Sequence, residues 1–588
     1  MGSQRNIKAK ASSWLLASTM LVGLLAGCSG NNNGGNTANG GNAAKPEGTN
    51  AAQKGSNAAS EDNSPITFSF FSADPSPNWT GMQDEVGKAL TEKTGVTLDA
   101  EFAVGDPVQK VALIAASGDY PDLISAKADV SKLVDVGAML DLTDLIEEHA
   151  PNIKKVLGED GLKRSRYSVD DPAIYTIPTY AGVDNQYFDA GGGFELQHRA
   201  VKEAGYPEIK TVKDFENVIK SYLEKHPTDE NGNKNIGLTL NADDWYMYIT
   251  VTNPAFLTTG SPDDGEYAVD IDTQEVTYHF RRPAEKEYFR WLNHMNDIGL
   301  LDPESFVQKY DQYKAKIATG RVIGLIDQNW AYGDGEKALK SAGKYDQGYG
   351  HYPVTLSEEY KETSFWPTGF MGGYGIGISV DCEDPVRAIK FLDFLASDEG
   401  QILTNWGIEG KHYNVVDGKR VIPEDVNKRK WNDSTNFQKE TGLNNVGGLY
   451  TLLSARYGDG VKDSTGNYYT TNFPELITSG YNDVEKETLA AYKATTWKDL
   501  FPKEEEFKVR PWGTASNIQI PGDSEIVVLD KKLRDITWKR IPEAILAKPA
   551  DFDKIWDNYM KEIEGAGVDK AEDLREELIK ERVKLWNE

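Results

Sequence analysis

The alternation between Ile66 and Ile124 constrains the fold of this chain more than any other feature. Ile66-Thr67-Phe68-Ser69-Phe70-Phe71 reads as a strand, a helix carrying Val86 and Leu90 ends near Gly95, and Val96 to Phe102 reads as a second strand. Two strands joined through a helix in so short a span predict a parallel pair. Val108 to Ser117 continues as a helix, Gly118-Asp119 as a turn and Asp122-Leu123-Ile124 as a third strand. The class implied is α/β. The alternation returns late, where Tyr374 to Val380 is strand-like and Asp384-Pro385 supplies an N-cap with a first-turn proline. Val386, Ile389, Leu392 and Leu395 then fall on one helical face. Asp398 and Gln401 have the spacing of a capping box, with Gly407 as the stop. Near the C-terminus, Phe552, Ile555, Trp556, Tyr559 and Ile563 share a face up to Gly565, and a last charged helix runs from about Lys570 to Trp586. No internal repeat is visible.

The other strong signal is at the start. Arg5, Lys8 and Lys10 form a basic segment, Trp14 to Ala26 is apolar, and Leu25-Ala26-Gly27-Cys28 closes the run. Such a run is too short to span a bilayer and has the form of a signal peptide. Leu-Ala-Gly-Cys resembles the bacterial lipobox, so residues 1–27 are expected to be a lipoprotein signal peptide and Cys28 the lipid-bearing first residue. Two acyl chains anchor stably where one does not. Residues 29–64 contain no Leu, Ile, Val or aromatic, so 28–64 reads as anchor plus disordered tether. Its random-coil reach is about 30–35 Å. With Cys28 lipidated, Cys382 has no partner for an intrachain disulfide.

The 588 residues carry a formal charge of −28, and removing Arg5, Lys8 and Lys10 with the signal peptide leaves −31. Phosphate contacts need clustered Lys and Arg, so nucleic acid is excluded as a partner, as is an anionic lipid surface. No Gly-x-Ser-x-Gly elbow, Walker loop or His-Glu-x-x-His occurs, and the seven histidines are scattered. Among 92 Asp and Glu, no acid pair stands out as glycosidase-like. The informative residues are aromatic: 13 Trp, 28 Tyr and 20 Phe. Flat rings stack on the apolar faces of sugar rings while nearby polar side chains bond the hydroxyls, which suits an oligosaccharide. Trp79, in a loop after the first strand, fits the crevice at the strand ends of an α/β sheet. Trp245 after Asp243-Asp244, Trp366 before a glycine cluster, and Asp184, Tyr187 and Asp327 are the other candidates. That cluster, Gly369, Gly372, Gly373, Gly375 and Gly377, suits either a flexible crossing between lobes or a glycine-rich strand end.

Ala388 to Leu395 with Asp398-Glu399-Gly400-Gln401, and then Trp406-Gly407-Ile408-Glu409-Gly410-Lys411-His412-Tyr413, resemble the family 1 extracellular solute-binding proteins of ABC importers, in their large Gram-positive lipoprotein branch. Ile114 to Leu123, Gly137 to Leu142, Tyr175 to Pro178 and Gly299 to Glu304 extend the resemblance in order over most of 65–415. Residues 420–588 match less distinctly.

The resemblance implies a two-lobe periplasmic-binding-protein-like fold of type II, with a hinge crossed more than once. On that scheme 65–181 is lobe one, 182–372 lobe two, and 373–588 a return to lobe one plus a C-terminal helical part. It also implies that Trp330 stacks on sugar. The function implied is capture of an oligosaccharide and delivery to an ABC permease, without catalysis or cofactor, from a lipid anchor on the outer face of the cell membrane. A carbohydrate-active surface enzyme and a ligand-presenting partner of a membrane sensor are the alternatives. One metal candidate remains: Asp229, Asn231 and Asn233 are spaced like the start of a calcium loop. Relatives that bind calcium there use further acids downstream, where this chain has Asn235-Ile236-Gly237, so a plain Asn/Gly turn is favoured.

Overall fold

The computed structural model describes residues 63–369, 374–444 and 447–587. The signal segment 1–27, Cys28 and nearly all of the tether lie outside the described residues, as do Gly372 and Gly373. The strands that build the two main sheets are β1 (Ile66–Ser72), β2 (Val96–Phe102), β3 (Leu123–Ser125), β4 (Ile177–Pro178), β5 (Gly192–Gln197) and β6 (Ile236–Thr239), followed after a small hairpin of β7 (Tyr267–Val269) and β8 (Val276–Tyr278) by β9 (Val322–Gln328), β10 (Tyr349–Tyr352) and β11 (Gly375–Ile378).

One sheet has the order β2-β1-β3-β11-β4. β1 runs parallel to β2 and β3, as the helical connections require, and β11 lies antiparallel beside β3 and β4. The helix Glu85–Thr94 forms where Asp84 accepts the Gly87 N–H at 2.8 Å and stops where Gly95 turns to φ 72°. Val86 and Leu90 press its inner face onto the sheet. The other sheet has the order β10-β5-β9-β6, with β6 parallel to β9 and β5 antiparallel to both β9 and β10.

Each sheet has its own core. Phe68, Phe70, Leu98 and Leu123 join Ile376, Ile378, Ile389, Leu392, Leu403 and Tyr450 in the first. Phe194, Leu196, Leu238 and Ile326 join Phe289 and Trp291 in the second, together with Leu533, Trp556, Tyr559, Ile563 and Ile579 from the C-terminal helices. Residues after 373 are therefore shared: those up to Ala455 pack with the first sheet, and the helices from Glu525 onward pack with the second.

Among the described residues three segments pass between the cores: 179–191, 353–369 and 456–482. The first and third are hydrogen-bonded to each other, Val183 N–H to Arg456 O at 2.9 Å, Gly458 N–H to Val183 O at 2.7 Å and Gln186 N–H to Asp459 O at 2.9 Å. Gly182 and Gly458 permit this approach, since a Cβ on Gly182 would stand 2.4 Å from the Gly458 Cα. Gly375 and Gly377, by contrast, are ordinary positions of β11 in backbone conformation, kept small because Ile177 O and Tyr175 O lie 2.2 and 2.4 Å from where a Cβ would be. They mark a crowded strand end and not a flexible one.

Two helix ends differ from expectation. Ser397, not Asp398, caps the helix Asp398–Trp406, because its hydroxyl is the group placed to accept the Gly400 N–H, at 3.0 Å. Gly565 lies inside the helix Phe552–Ala566, and Gly567, at φ 101°, ends it.

Candidate functional site

β6 and β9 are parallel neighbours, Leu238 opposite Gly324 and Thr239 opposite Leu325, so the chain leaves both at the same edge of the sheet. That edge is where ligands bind in open α/β sheets. It is also where segment 179–191 arrives, because Gly192 at the start of β5 pairs with Gln328 at the end of β9. Trp245 follows β6 and Trp330 follows β9 directly, in the first turn of the helix Asn329–Ser341. Sequence separation of 85 positions is thereby closed to a stack: the rings of Trp245 and Trp330 lie 5.6 Å apart at 14°.

The stack continues inward. Trp245 lies on Tyr246 at 4.3 Å and 26°, and Tyr246 on Tyr310 at 4.2 Å and 20°. Polar ties hold Tyr310 in place: its N–H donates to Asp243 Oδ2 at 3.1 Å and its hydroxyl to Ala331 O at 2.7 Å. Lys309 Nζ donates to Asp243 Oδ1 at 2.7 Å, and Lys314 Nζ sits 4.3 Å from the Tyr310 ring centre. Asp244 adopts φ 53°, a strained conformation for a non-glycine residue that turns the chain ahead of Trp245. The inner rings are partly buried, whereas Trp245 is 43% and Trp330 56% exposed. A ladder of four rings buttressed from behind thus ends on Trp330, whose outer indole face has no ring stacked on it, with Trp245 part-exposed beside it.

Asp327 stands behind this platform, 2% exposed, where Tyr313 donates to its Oδ2 at 2.7 Å and the Gln328 N–H to its Oδ1 at 2.7 Å. Burial pushes its carboxyl up to about 7. The Asp327 N–H reaches Glu195 Oε2 at 3.3 Å, and burial together with the Asp327 charge raises Glu195 well above the usual carboxylate range. Asp327 therefore meets Tyr313 and the backbone, not solvent.

The first sheet offers a different edge. At the ends of β1 and β3, Lys127 forms an ion pair with Asp74 and lies 5.3 Å from the centre of the Tyr180 ring. Tyr180 meets Tyr374 edge to face at 5.4 Å, beside the hydrogen bond from Thr179 N–H to Tyr374 O. Trp79 is half-buried, wedged against Phe102 at 5.6 Å and Tyr450 at 5.5 Å. On segment 179–191, Asp184 is exposed at φ 57°, and Tyr187 is 45% exposed with its ring 5.4 Å from Phe365. Trp366 lies flat on Phe507 at 5.1 Å and donates its Nε1–H to Lys508 O at 2.6 Å.

The structure thus joins Trp245 to Trp330, keeps Asp184 and Tyr187 on one crossing segment, and leaves Trp79 and Trp366 in separate aromatic contacts. Tyr246, Tyr310, Tyr180 and Tyr374 were not singled out in the sequence. Tyr246 could have been suspected from its place beside Trp245; Tyr310 carries no local signal.

The Asp229 turn is closed on itself. Its Oδ1 accepts the Asn231 and Asn233 N–H groups at 2.9 and 2.8 Å, and its Oδ2 accepts Asn233 Nδ2–H at 3.1 Å. Calcium takes six to eight oxygens, and this turn offers one carboxylate already engaged by its own amides. Among the described residues no group of three or more His, Cys, Asp or Glu is arranged to hold a metal, and no helix is long and apolar enough to cross a membrane.

The family model described as bacterial extracellular solute-binding protein matches residues 85–406. The fructooligosaccharide ABC transporter substrate-binding protein FusA of Streptococcus pneumoniae is 23% identical over 244 residues, 39% of this chain and 43% of FusA. The aligned stretch thus spans less than half of FusA's own length. Lipoprotein LipO of Bacillus subtilis is 23% identical over 368 residues, 60% of this chain and 68% of LipO. The solved structure of the alginate-binding protein AlgQ2 without calcium ion superposes with a TM-score of 0.60 at 17% identity, covering 89% of this chain and 98% of that one. A likeness of that extent at that identity is one of fold: a two-lobe, type II binding-protein architecture.

Proposed function

This chain belongs to the bacterial extracellular solute-binding proteins, and on that premise we propose that it captures an oligosaccharide and hands it to an ABC permease without chemically altering it. The observation that carries the sugar assignment is the exposed Trp245–Trp330 pair backed by Tyr246 and Tyr310. Indole faces bury the apolar face of a pyranose or furanose ring, and four rings in register keep them pre-set, so little ordering is left to the binding step. The name of FusA, a fructooligosaccharide ABC transporter substrate-binding protein, supports the same assignment, and that of LipO, a lipoprotein, supports the lipid anchor.

In this proposal the lobes are built on the two sheets, and segments 179–191, 353–369 and 456–482 form the hinge about which they close over ligand. Tyr180, Tyr187 and Tyr374 line the hinge side, and Asp184 offers a hydroxyl acceptor. Capture of this kind needs no cofactor. The lipid on Cys28 holds the protein at the outer membrane face, and Cys28→Ala should release it; a variant that still sediments with membranes in high salt would overturn that anchor.

The test of capture is calorimetry on the full chain with an oligosaccharide panel, followed by Trp330→Ala. Loss of the platform should cost about 1–3 kcal/mol, a weakening of roughly 5- to 150-fold. An unchanged affinity removes Trp330 from the site, and sustained cleavage of the bound sugar would overturn the non-catalytic reading.

A further inference from the structure

Resting on that proposed cleft, we infer that Asn329 and Gln328 read the hydroxyls of the sugar ring seated on Trp330, and so decide which ring configuration the platform accepts. β9 lies between β5 and β6. At its end Trp330 turns toward the β6 side, where its ring meets Trp245. The two residues before it turn the other way, onto the Gly191-Gly192 pair where segment 179–191 runs into β5. A ligand that extends from the indole toward the hinge therefore passes beside both amides.

Backbone contacts fix this arrangement. Gly192 pairs with Gln328 in the β5–β9 ladder, and the Asn329 N–H donates to Gly191 O at 2.7 Å. A Cβ on Gly191 would stand 2.8 Å from Asn329 Nδ2, and one on Gly192 would overlap the Gln328 amide. Neither glycine is needed for its backbone angle: of the three in a row only Gly193 has a positive φ, 108°. Gly191 and Gly192 thus form a notch in which the two amides lie. The amides themselves are uncommitted. Among the described residues neither side chain has a hydrogen-bond partner, and Asn329 is exposed with Gln328 part-exposed. The Asn293 and Asn467 amides, by contrast, are bound to backbone carbonyls.

A carboxamide both donates and accepts, as a hydroxyl does, so one amide can serve two neighbouring hydroxyls of a ring at once. Inverting one of those carbons leaves amide and hydroxyl unpaired once the lobes have closed and water is gone, and such a mismatch is strongly discriminated. Stacking is less demanding, since an indole covers the apolar face of many rings. Held over the glycine pair, the short amides lose little freedom on binding. The platform supplies contact area, and the amides beside it make the choice.

The experiment is calorimetry on the full chain with cello-, manno-, galacto- and xylotetraose and the fructan tetrasaccharide nystose, for the parent and for Trp330→Ala, Asn329→Ala and Gly191→Ala. The parent should favour its tightest sugar over the next by about tenfold or more. Asn329→Ala should weaken that sugar about tenfold and narrow the ratio about fivefold. Trp330→Ala should weaken every binder alike and keep the ratio. Gly191→Ala displaces only the tip of the Asn329 side chain, so it should narrow the ratio while the melting temperature of the ligand-free protein holds. If Asn329→Ala weakens every sugar equally, or none, hydroxyl reading is overturned and capture on the platform stands. A parent that binds all five sugars equally has the same consequence. Binding of no saccharide overturns capture and hydroxyl reading together.

Discussion

The two sheets present the same topological place, the C-terminal ends of adjacent parallel strands, with opposite chemistry. At the end of β1 and β3 the side chains satisfy one another: Lys127 pairs with Asp74 and caps Tyr180, and Trp79 is wedged between Phe102 and Tyr450. At the end of β6 and β9 the rings lie face on face, and the outer two remain open to solvent. An edge-on aromatic in a tilted cluster contributes to the fold, because its faces are already covered. A face-on stack with an uncovered end retains surface whose burial by a ligand is favourable. Aromatic content alone does not separate these cases; the orientation of neighbouring rings does.

Three experiments bear on that contrast. The largest effect is expected where the two halves touch. Gly182→Ala places a Cβ 2.4 Å from the Gly458 Cα, and should cost about 3 kcal/mol of stability, read as a lower denaturation midpoint with the ladder residues intact. A midpoint equal to that of the parent would show that the paired crossing segments can separate freely. Next, Trp79→Ala should destabilise by roughly 2–3 kcal/mol, because it opens a gap against Phe102 and Tyr450, while Trp330→Ala should change stability by less than about 1 kcal/mol and act on affinity instead. If the two variants exchanged these phenotypes, the assignment of the walls would be reversed.

The smallest effect concerns the buried acid behind the platform. The Asp327 carboxyl is raised by burial to about 7, so the folded state holds its proton more firmly than the unfolded chain. Its contribution is full below about pH 4 and is lost as pH climbs through 7. Asp327→Asn should therefore gain melting temperature relative to the parent between pH 5 and pH 8. A difference independent of pH would mean that the carboxyl ionises without penalty in the fold.

Much of the fold was legible because local signals and tertiary outcome agree. The β1-helix-β2 alternation, the Gly95 and Gly407 stops, and the Asp384-Pro385 helix start all appear where short-range chemistry puts them. Trp245 and Trp330 were legible as loop aromatics after strands, and nothing in the sequence said that they touch. The division of residues 373–588 was not legible either. Helices such as Phe552–Ala566 announce an apolar face, and the partner of that face is chosen by shape and contact across hundreds of positions.

By itself, the sequence determined the class of the domain, the aromatic supply and the net negative charge, since periodicity, capping and composition act over a few residues or over the whole chain. Tertiary structure alone decided which rings stack, which glycines carry close backbone contacts and which carboxylates, Asp327 among them, are buried. The physical reason is distance along the chain. Leu238 and Gly324 become neighbours only through the parallel pairing of β6 and β9, and that pairing turns two unrelated tryptophans into one surface.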